Sequence, residues 1–301
     1  MTEKPPPNPK YPYLAGKASE IVEHPDFERI QYIRTAKWID YTAAKQVLAE
    51  LEDLITSPED LRPQCRLIIG DSNNGKSSII DRFLKRHRTN PNLDGDAVVI
   101  TVVAITALRA DEKALYDWLL AALFEPLDPK LSTPDSQKLV INQLRRLKPK
   151  LIIIDEAHEL AKGVNRSVVA CQSAIKAITN LTHVPIAAFG IDEVLNAFSL
   201  DGQIANRFIP VYLPRWKWGP DFRGLLVAYE TILPLRKPSK LNHTVIGHEI
   251  LQRTGGLLGE VRQLLTDSAI YAIKNGIEQI TVKVIKDCKY RPADERRKKP
   301  K

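Results

Sequence analysis

The sequence predicts a three-layer α/β/α domain on a parallel sheet of five strands, with a helical prefix before it and a small helical lid after it. Three observations support this. Between Arg66 and Tyr212 lie five short runs, "RLIIG", "AVVITVV", "LIIIDE", "PIAAFG" and "VYLP", that are continuously apolar instead of alternating. Such runs suit strands covered on both faces of a parallel sheet. Stretches of helical periodicity separate them, as crossovers between parallel strands require. After Pro220 the apolar runs stop and only helical periodicity continues.

The opening "MTEKPPPNPKYPYLAG" holds too many prolines for a regular ladder, so residues 1–20 are expected to form a flexible arm. From Pro25 the pattern is helical: "DFERIQYIRTAKWI", then "TAAKQVLAELEDLI", with Val47, Leu51, Leu54 and Ile55 on one face. This prefix is expected to pack on the domain that follows, giving a core of residues 21–218. In the lid, residues 219–288, "DFRGLLVAYETIL", "HTVIGHEILQRTG", "EVRQLLTDSAIYAIKNG" and "TVKVIKDC" read as helices, the third closed by Gly276 after Asn275. The tail, residues 289–301, is too charged and too poor in apolar residues to fold. No internal repeat emerges.

A chain of 301 residues can hold one sizeable domain with a satellite. Its 44 Lys and Arg against 36 Asp and Glu favour a polyanionic partner and say nothing of fold. Cys65, Cys171 and Cys288 are odd in number, far apart and without a second ligand type at metal spacing, so reduced buried thiols are expected. There is no leader-like start and no apolar run of roughly eighteen residues, which predicts a soluble intracellular protein without a membrane partner.

The chemistry begins at "GDSNNGKS", Gly70, Asp71, Ser72, Asn73, Asn74, Gly75, Lys76 and Ser77, with Ser78 opening the helix "SSIIDRFLKRH". This matches the phosphate-loop pattern and stands where that pattern needs to be, after a strand and before a helix. Glycines permit the tight turn, converging backbone N–H groups meet phosphates, and the helix N-terminus adds its positive end. Lys76 would reach the β- and γ-phosphates of ATP, and the Ser77 hydroxyl would ligate Mg2+. Asp155 ends the strand "LIII" and would hold the metal through water, while Glu156 would polarise the attacking water. The long interval between Lys76 and Asp155 leaves room for another strand and two helices, unlike compact kinases, which have no need of Glu156. The box "LIIIDEAH" evokes helicases, but one set of nucleotide motifs does not make a two-lobed motor. His158 reads better as a satisfied polar residue at a strand-to-helix turn.

Two arginines fit hydrolysis between subunits. Arg207, in "NRF" before the last strand, can face a neighbour's γ-phosphate, an interaction worth roughly a thousandfold in phosphoryl transfer. A surface salt bridge is its other reading. Arg262, in "GEVRQLL", would start a helix after a turn at Gly259 and sense the γ-phosphate in cis, or else be a solvated helix residue.

The order of phosphate loop, acidic box, "PIAAFG", "NRF" and "GEVR" resembles an AAA+ ATPase. More narrowly, "HPDFERIQYIRTAKWIDY", "IIGDSNNGKS" and "RFIPVYLPRW" resemble the TniB proteins of transposons, relatives of TnsC and MuB, over about residues 20–288. The resemblance implies an ATPase that binds double-stranded DNA without sequence preference and forms ATP-dependent homo-oligomers, rings or helical filaments. It further implies recruitment of a DDE transposase, a TniQ-type target-selection partner, disassembly on hydrolysis and a place in the bacterial cytosol. By matching motif, Lys76, Ser77, Asp155 and Glu156 serve the nucleotide, Arg207 is the trans finger and Arg262 the lid sensor. Ser77 stands where threonine is common, which keeps the hydroxyl. Ile191 stands where relatives carry threonine, which puts the water-sensing role at that strand end in doubt, with Asp192 as a substitute.

By the same resemblance DNA would lie against the segment after the second strand, where Arg109, Lys113 and, further on, Lys130 are candidates for phosphate contacts. Solvated helix positions are the competing reading. Trp216 and Trp218 in "RWKW" suit packing better than base stacking. Three other readings stay open: a helicase loader or replication initiator, a nucleotide-switched signalling scaffold and, least favoured, a translocating helicase.

Overall fold

The computed structural model describes residues 10–58, 60–89, 99–199 and 202–296. The chain divides into two compact units, one of Ala43–Pro214 and one from the segments up to Thr42 and from Arg215 onward. In chain order the latter opens with α1 (Lys17–Ile21) and α2 (Asp26–Arg34). Next come α3 (Thr42–Thr56), β1 (Cys65–Gly70), α4 (Lys76–Arg86), β2 (Val102–Thr106), α5 (Glu112–Ala122) and α6 (Thr133–Leu147). β3 (Leu151–Asp155), a 3-10 turn (Ala157–Ala161), α7 (Asn165–Thr182), β4 (Ile186–Gly190), α8 (Glu193–Ser199), α9 (Gly202–Ala205) and β5 (Phe208–Leu213) complete the α/β unit. The remaining helices are α10 (Pro220–Ile232), α11 (Thr244–Thr254), α12 (Leu258–Lys274), α13 (Val282–Asp287) and α14 (Ala293–Arg296).

The five strands run parallel in the order β2-β3-β4-β1-β5, as the apolar runs implied. β4 lies between β3 and β1, so the segments leaving all three strands emerge side by side at the sheet's C-terminal edge, where open α/β sheets hold ligands. Register supports this: Ile69 pairs with Gly190, Gly70 with Leu213 and Thr106 with Asp155. β3 and β4 are almost wholly buried, and helices cover both sheet faces. β5 is an edge strand, which is why it tolerates Pro210 and exposes Ile209 and Tyr212.

Three sequence expectations shift. β2 is Val102–Thr106 instead of the run 97–103, part of which lies outside the described residues. A continuously apolar run has no alternation to set its register. "DFERIQYIRTAKWI" is helical only to Arg34; Thr35 is already extended. Gly259 makes no turn but sits inside α12, whose N-cap is Leu257, and the left-handed residues before it are Gly255 and Gly256.

In the helical unit α2 packs on α12. Ile30 and Ile33 join Val261, Leu264 and Leu265 in one apolar cluster with Phe222 and Ile250. Arg29 is fully buried in this unit. Its Nε donates to Pro234 O (3.1 Å), its Nη1 to Glu278 Oε1 (2.9 Å) and Asp26 Oδ1 (3.1 Å), and its Nη2 also reaches Glu278. The segment up to Thr42 therefore groups with the lid residues, not with the core as a 21–218 boundary would have it. The described part of the expected arm is also held: Tyr11, Leu14 and Val22 are buried together, and Ala15 N–H donates to Thr231 O at 2.9 Å. Residues 1–9 lie outside the described residues. In the tail, Tyr290 is buried with its hydroxyl on Glu260 Oε2 (2.8 Å), and Arg296 reaches Glu260 Oε1 (2.5 Å), so residues 289–296 are anchored. Trp216 and Trp218 pack on Phe222, with Trp218 also 4.4 Å from the His248 ring, the packing role expected of them. Cys65, Cys171 and Cys288 are free and buried, and burial pushes the first two thiols up to about 11.

Candidate functional site

The phosphate-loop segment leaves β1 at Gly70, where β1 and β5 approach so closely that a Cβ would lie 2.9 Å from Leu213 Cβ and 3.1 Å from Leu213 O. Only glycine fits. Left-handed backbone at Asn73 (φ 62°) and at Gly75 (φ 93°), the N-cap of α4, then curls the chain so that the free N–H groups of α4 face into the loop. Asn74 is buried and ties the loop to β5 by donating from Nδ2 to Leu213 O (2.8 Å) and Pro214 O (3.2 Å). Ser72 and Asn73 form the exposed crest, and Ser77 and Ser78 lie exposed on the first turn of α4.

Lys76 is buried, and its Nζ donates to Gly70 O (2.7 Å) and Asp71 O (2.9 Å) across the loop's concavity. Burial holds its ammonium below the ordinary lysine value, partly offset by the nearby carboxylates of Glu156, Asp155 and Asp71. The Ser77 hydroxyl donates to Asp155 Oδ2 at 2.9 Å, so the loop and the end of β3 share one contact although 77 and 155 lie far apart in sequence. Mg2+ takes few protein oxygens and completes its octahedron with phosphates and water, so a hydroxyl beside one carboxylate is a fitting donor set. Among the described residues no group of three or more His, Cys, Asp and Glu could hold a metal by itself.

Glu156 is left-handed (φ 53°, ψ 35°), a conformation uncommon for a residue with a side chain and costing on the order of 1 kcal/mol. Asp155 holds that turn by accepting Glu156 N–H at Oδ1 (2.9 Å), and the Glu156 side chain stays about two-fifths exposed, at 41%. His158 is buried on the 3-10 turn. Its Nδ1 lies 3.2 Å from Glu156 Oε2 and its Nε2 lies 3.2 Å from Glu159 Oε1. The Nδ1 contact is off the line of a hydrogen bond, which leaves that buried nitrogen unpartnered at a cost of roughly 1–3 kcal/mol. Between β3 and β1, Ile191 follows β4 and presents an apolar side chain, while Asp192 is exposed at the start of the segment leading into α8.

A profile described as the bacterial TniB protein matches residues 29–218. The chain belongs to the TniB family. No curated protein sequence matches it. Among solved structures it is similar to the Aeropyrum pernix ORC2 protein in ADPNP–ADP complexes, at 13% identity and TM-score 0.58, covering 85% of this chain and 70% of that one. It is also similar to Cdc6p from Pyrobaculum aerophilum, at 15% identity and TM-score 0.54, covering 82% and 67%. A third is the Aeropyrum pernix ORC1 protein in complex with DNA, at 14% identity and TM-score 0.54, covering 85% and 67%. These likenesses establish the AAA+ α/β/α fold for this TniB chain.

The remaining sequence candidates fall outside the phosphate loop. Arg207 lies just before β5, at the N-terminal edge of the sheet and so at the opposite end from the loop of its own chain. It cannot serve that loop. Its Nη1 donates to Thr179 Oγ1 at 3.0 Å. Arg262 belongs to the helical unit of this TniB chain, on the first turns of α12, beside Thr35, Lys37 and Tyr229. Lys37, unnoticed in the sequence, lies 3.7 Å over the Tyr32 ring and donates to Tyr32 O and to Thr35 Oγ1 (3.1 Å). Burial, with Arg262 adding to it, pushes its ammonium down to about 8.

Arg109 and Lys113 are both in ion pairs, Arg109 with Asp111 (3.2 Å) and Lys113 with Asp117 (3.0 Å), and Lys130 lies in the loop between α5 and α6. A Cβ placed on Gly163 would meet Ala110 Cβ at 3.4 Å, so the loop after β2 touches the loop before α7. Arg109 adjoins Ala110 in sequence and Lys162 adjoins Gly163, with Arg166 shortly after it, and Arg109, Lys162 and Arg166, like Leu108, Val164 and Val169, are exposed in these two segments. Sequence reasoning missed Lys162 and Arg166. Their signal was basic residues flanking "GVN", but only tertiary contact joins it to Arg109. Among the described residues no helix is long and apolar enough to cross a membrane.

Proposed function

We propose that this TniB protein is an ATP-dependent, DNA-binding regulator of transposition that assembles on target DNA and is released by ATP hydrolysis. The observation that carries the nucleotide part is the 2.9 Å contact between Ser77 Oγ and Asp155 Oδ2, which makes the loop and the acidic strand end one site. Family membership carries the rest. In this reading Ser77 and Asp155 hold Mg2+, and the backbone N–H groups of the loop together with Lys76 hold the β- and γ-phosphates of ATP. When bound, Mg2+ supplies Lewis-acid polarisation of the phosphoryl oxygens. Glu156 orients a water for attack on the γ-phosphorus and takes up its proton as the bond to the β-phosphate oxygen breaks. Arg207 of a neighbouring copy neutralises charge developing on the transferred group.

Arg109, Lys113 and Lys130, with Lys162 and Arg166, are the proposed contacts to DNA phosphates, sequence-blind and salt-sensitive. The DDE transposase and a TniQ-type protein are the proposed protein partners. A second reading, a replication initiator or helicase loader, is favoured by the A. pernix ORC1 structure in complex with DNA. The deciding experiment is DNA binding with ATP, a slowly hydrolysed analogue, ADP or no nucleotide, together with strand-transfer and helicase-loading assays. Nucleotide-dependent oligomers on duplexes of arbitrary sequence that stimulate a DDE transposase support the proposal. Monomeric, nucleotide-indifferent DNA binding overturns it, and helicase loading without stimulation of a transposase moves it to the second reading.

A further inference from the structure

His158 is the buried titratable side chain nearest the reacting groups that the mechanism leaves unused. Its ring stands between two carboxylates, with Nδ1 3.2 Å from Glu156 Oε2 and Nε2 3.2 Å from Glu159 Oε1. Glu159 is itself fixed, accepting from Lys162 Nζ at 2.6 Å. Behind the ring, the backbone of His158 lies against the end of β4, where a Cβ on Gly190 would be 3.3 Å from His158 N. The imidazole therefore has little freedom to swing, whereas the Glu156 side chain is two-fifths exposed on a strained turn and has much.

We infer that His158 is the positioning residue for Glu156: Glu159 orients the ring from one side, and the ring's Nδ1–H holds the Glu156 carboxylate on the other. The inference rests on the assignment of Glu156 as the group that orients water. A base steered by a second side chain, itself oriented by a third, is a recurring arrangement in hydrolysis. A contact off the hydrogen-bond line is no objection, because catalytic hydrogen bonds are often loose until substrate is in place and tighten in the complex. Each carboxylate needs a donor, so in this scheme both ring nitrogens carry a proton, Nδ1–H for Glu156 and Nε2–H for Glu159. His158 touches no nucleotide in this scheme; it sets where the base points.

The test uses the full-length protein with DNA and compares turnover and ATP affinity in His158→Ala, His158→Asn and His158→Gln. Asparagine places an amide nitrogen near the position of Nδ1, glutamine near that of Nε2. Turnover is expected to fall about tenfold in His158→Ala, the scale seen when an orienting neighbour is removed, with ATP affinity unchanged. His158→Asn should recover most of the loss and His158→Gln little of it. A merely structural histidine would not separate the two amides, and His158→Ala should add nothing further to Glu156→Gln if the histidine acts through that carboxylate. Wild-type turnover in His158→Ala, or equal loss in the asparagine and glutamine variants, overturns the inference. Should His158→Ala fail to fold, the asparagine and glutamine pair decides alone. If Glu156→Gln slows hydrolysis while every His158 variant turns over normally, the inference alone falls. Wild-type turnover in Glu156→Gln removes the assignment beneath it, and the inference with it.

Discussion

Ser77 joins parts of the site that are distant in sequence through one hydroxyl. Its hydrogen bond to Asp155 predicts that Ser77→Ala loses Mg2+-dependent turnover by about 10–100-fold. Ser77→Thr, which keeps the hydroxyl, should stay near wild type; a Mg2+ titration of ATP turnover checks both, and an active alanine variant would separate Ser77 from the metal. Lys76→Ala should fail earlier, at nucleotide binding, because Lys76 is the buried cation inside the loop. These residues were legible in the sequence because a phosphate loop is defined along the chain: backbone turn, glycines and lysine must fall at fixed offsets. Gly70 and Gly75 stand where close strand approach and left-handed backbone require them. His158, Lys37 and Arg166 were not legible in this way. For His158 and Lys37 the partners stand close by in the sequence, and it is the local turn that sets Glu159 on the far side of the imidazole and the Tyr32 ring under the ammonium; Arg166 is singled out only by a distant contact, Ala110 against Gly163.

At the scale of elements, α2 shows how far periodicity reaches. Its helical pattern was readable, but its partner was not, since nothing in "DFERIQYIR" says that Arg29 finds Glu278 and Pro234. Removing Arg29 leaves the buried Glu278 carboxylate with only the more distant, part-exposed Arg236 at 3.6 Å, so Arg29→Met should destabilise the protein by about 3 kcal/mol. Arg29→Met with Glu278→Met should cost less than the single change, because no buried charge is left behind, the remaining partners Asp26 and Arg236 being exposed to water; urea denaturation of both measures it, and a neutral Arg29→Met would show the pair to be dispensable. Lys37, just beyond α2, adds a pH signature. Its folded value of about 8 lies below the ordinary 10.5, so between those values the unfolded chain binds more protons and stability rises with pH. The difference in Tm between wild type and Lys37→Met should therefore shift in favour of wild type as pH climbs from about 8 towards 10.5. A pH-independent difference would mean that Lys37 titrates as an exposed lysine. The strands tell the complementary story. Continuous apolar runs identified a buried parallel sheet, but without alternation they could not place β2 within its run.

For the whole molecule, the decisive geometric fact is that Arg207 and the phosphate loop occupy opposite ends of the same sheet. A parallel strand of five or six residues is roughly 17–20 Å long, so Arg207 cannot reach its own nucleotide, and hydrolysis must use another copy if this arginine takes part. Head-to-tail contacts, which build rings or filaments, would present it to a neighbour's loop at every interface. Arg207→Ala should then bind ATP and assemble but hydrolyse poorly, by about a thousandfold on the scale of arginine fingers. Glu156→Gln should assemble equally well and fail for a different reason, lacking its base while keeping Arg207 for its neighbour. Mixing the two inactive variants in equal amounts leaves roughly a quarter of random interfaces with an intact site facing an intact arginine, because each heterologous interface draws its two halves independently. Turnover in the mixture should therefore rise well above that of either variant alone, towards about a quarter of wild type. Steady-state ATPase of the mixed assemblies on DNA measures this. A mixture no more active than its components would leave Arg207 as the partner of Thr179 within its own chain and would send the search for the finger to another arginine.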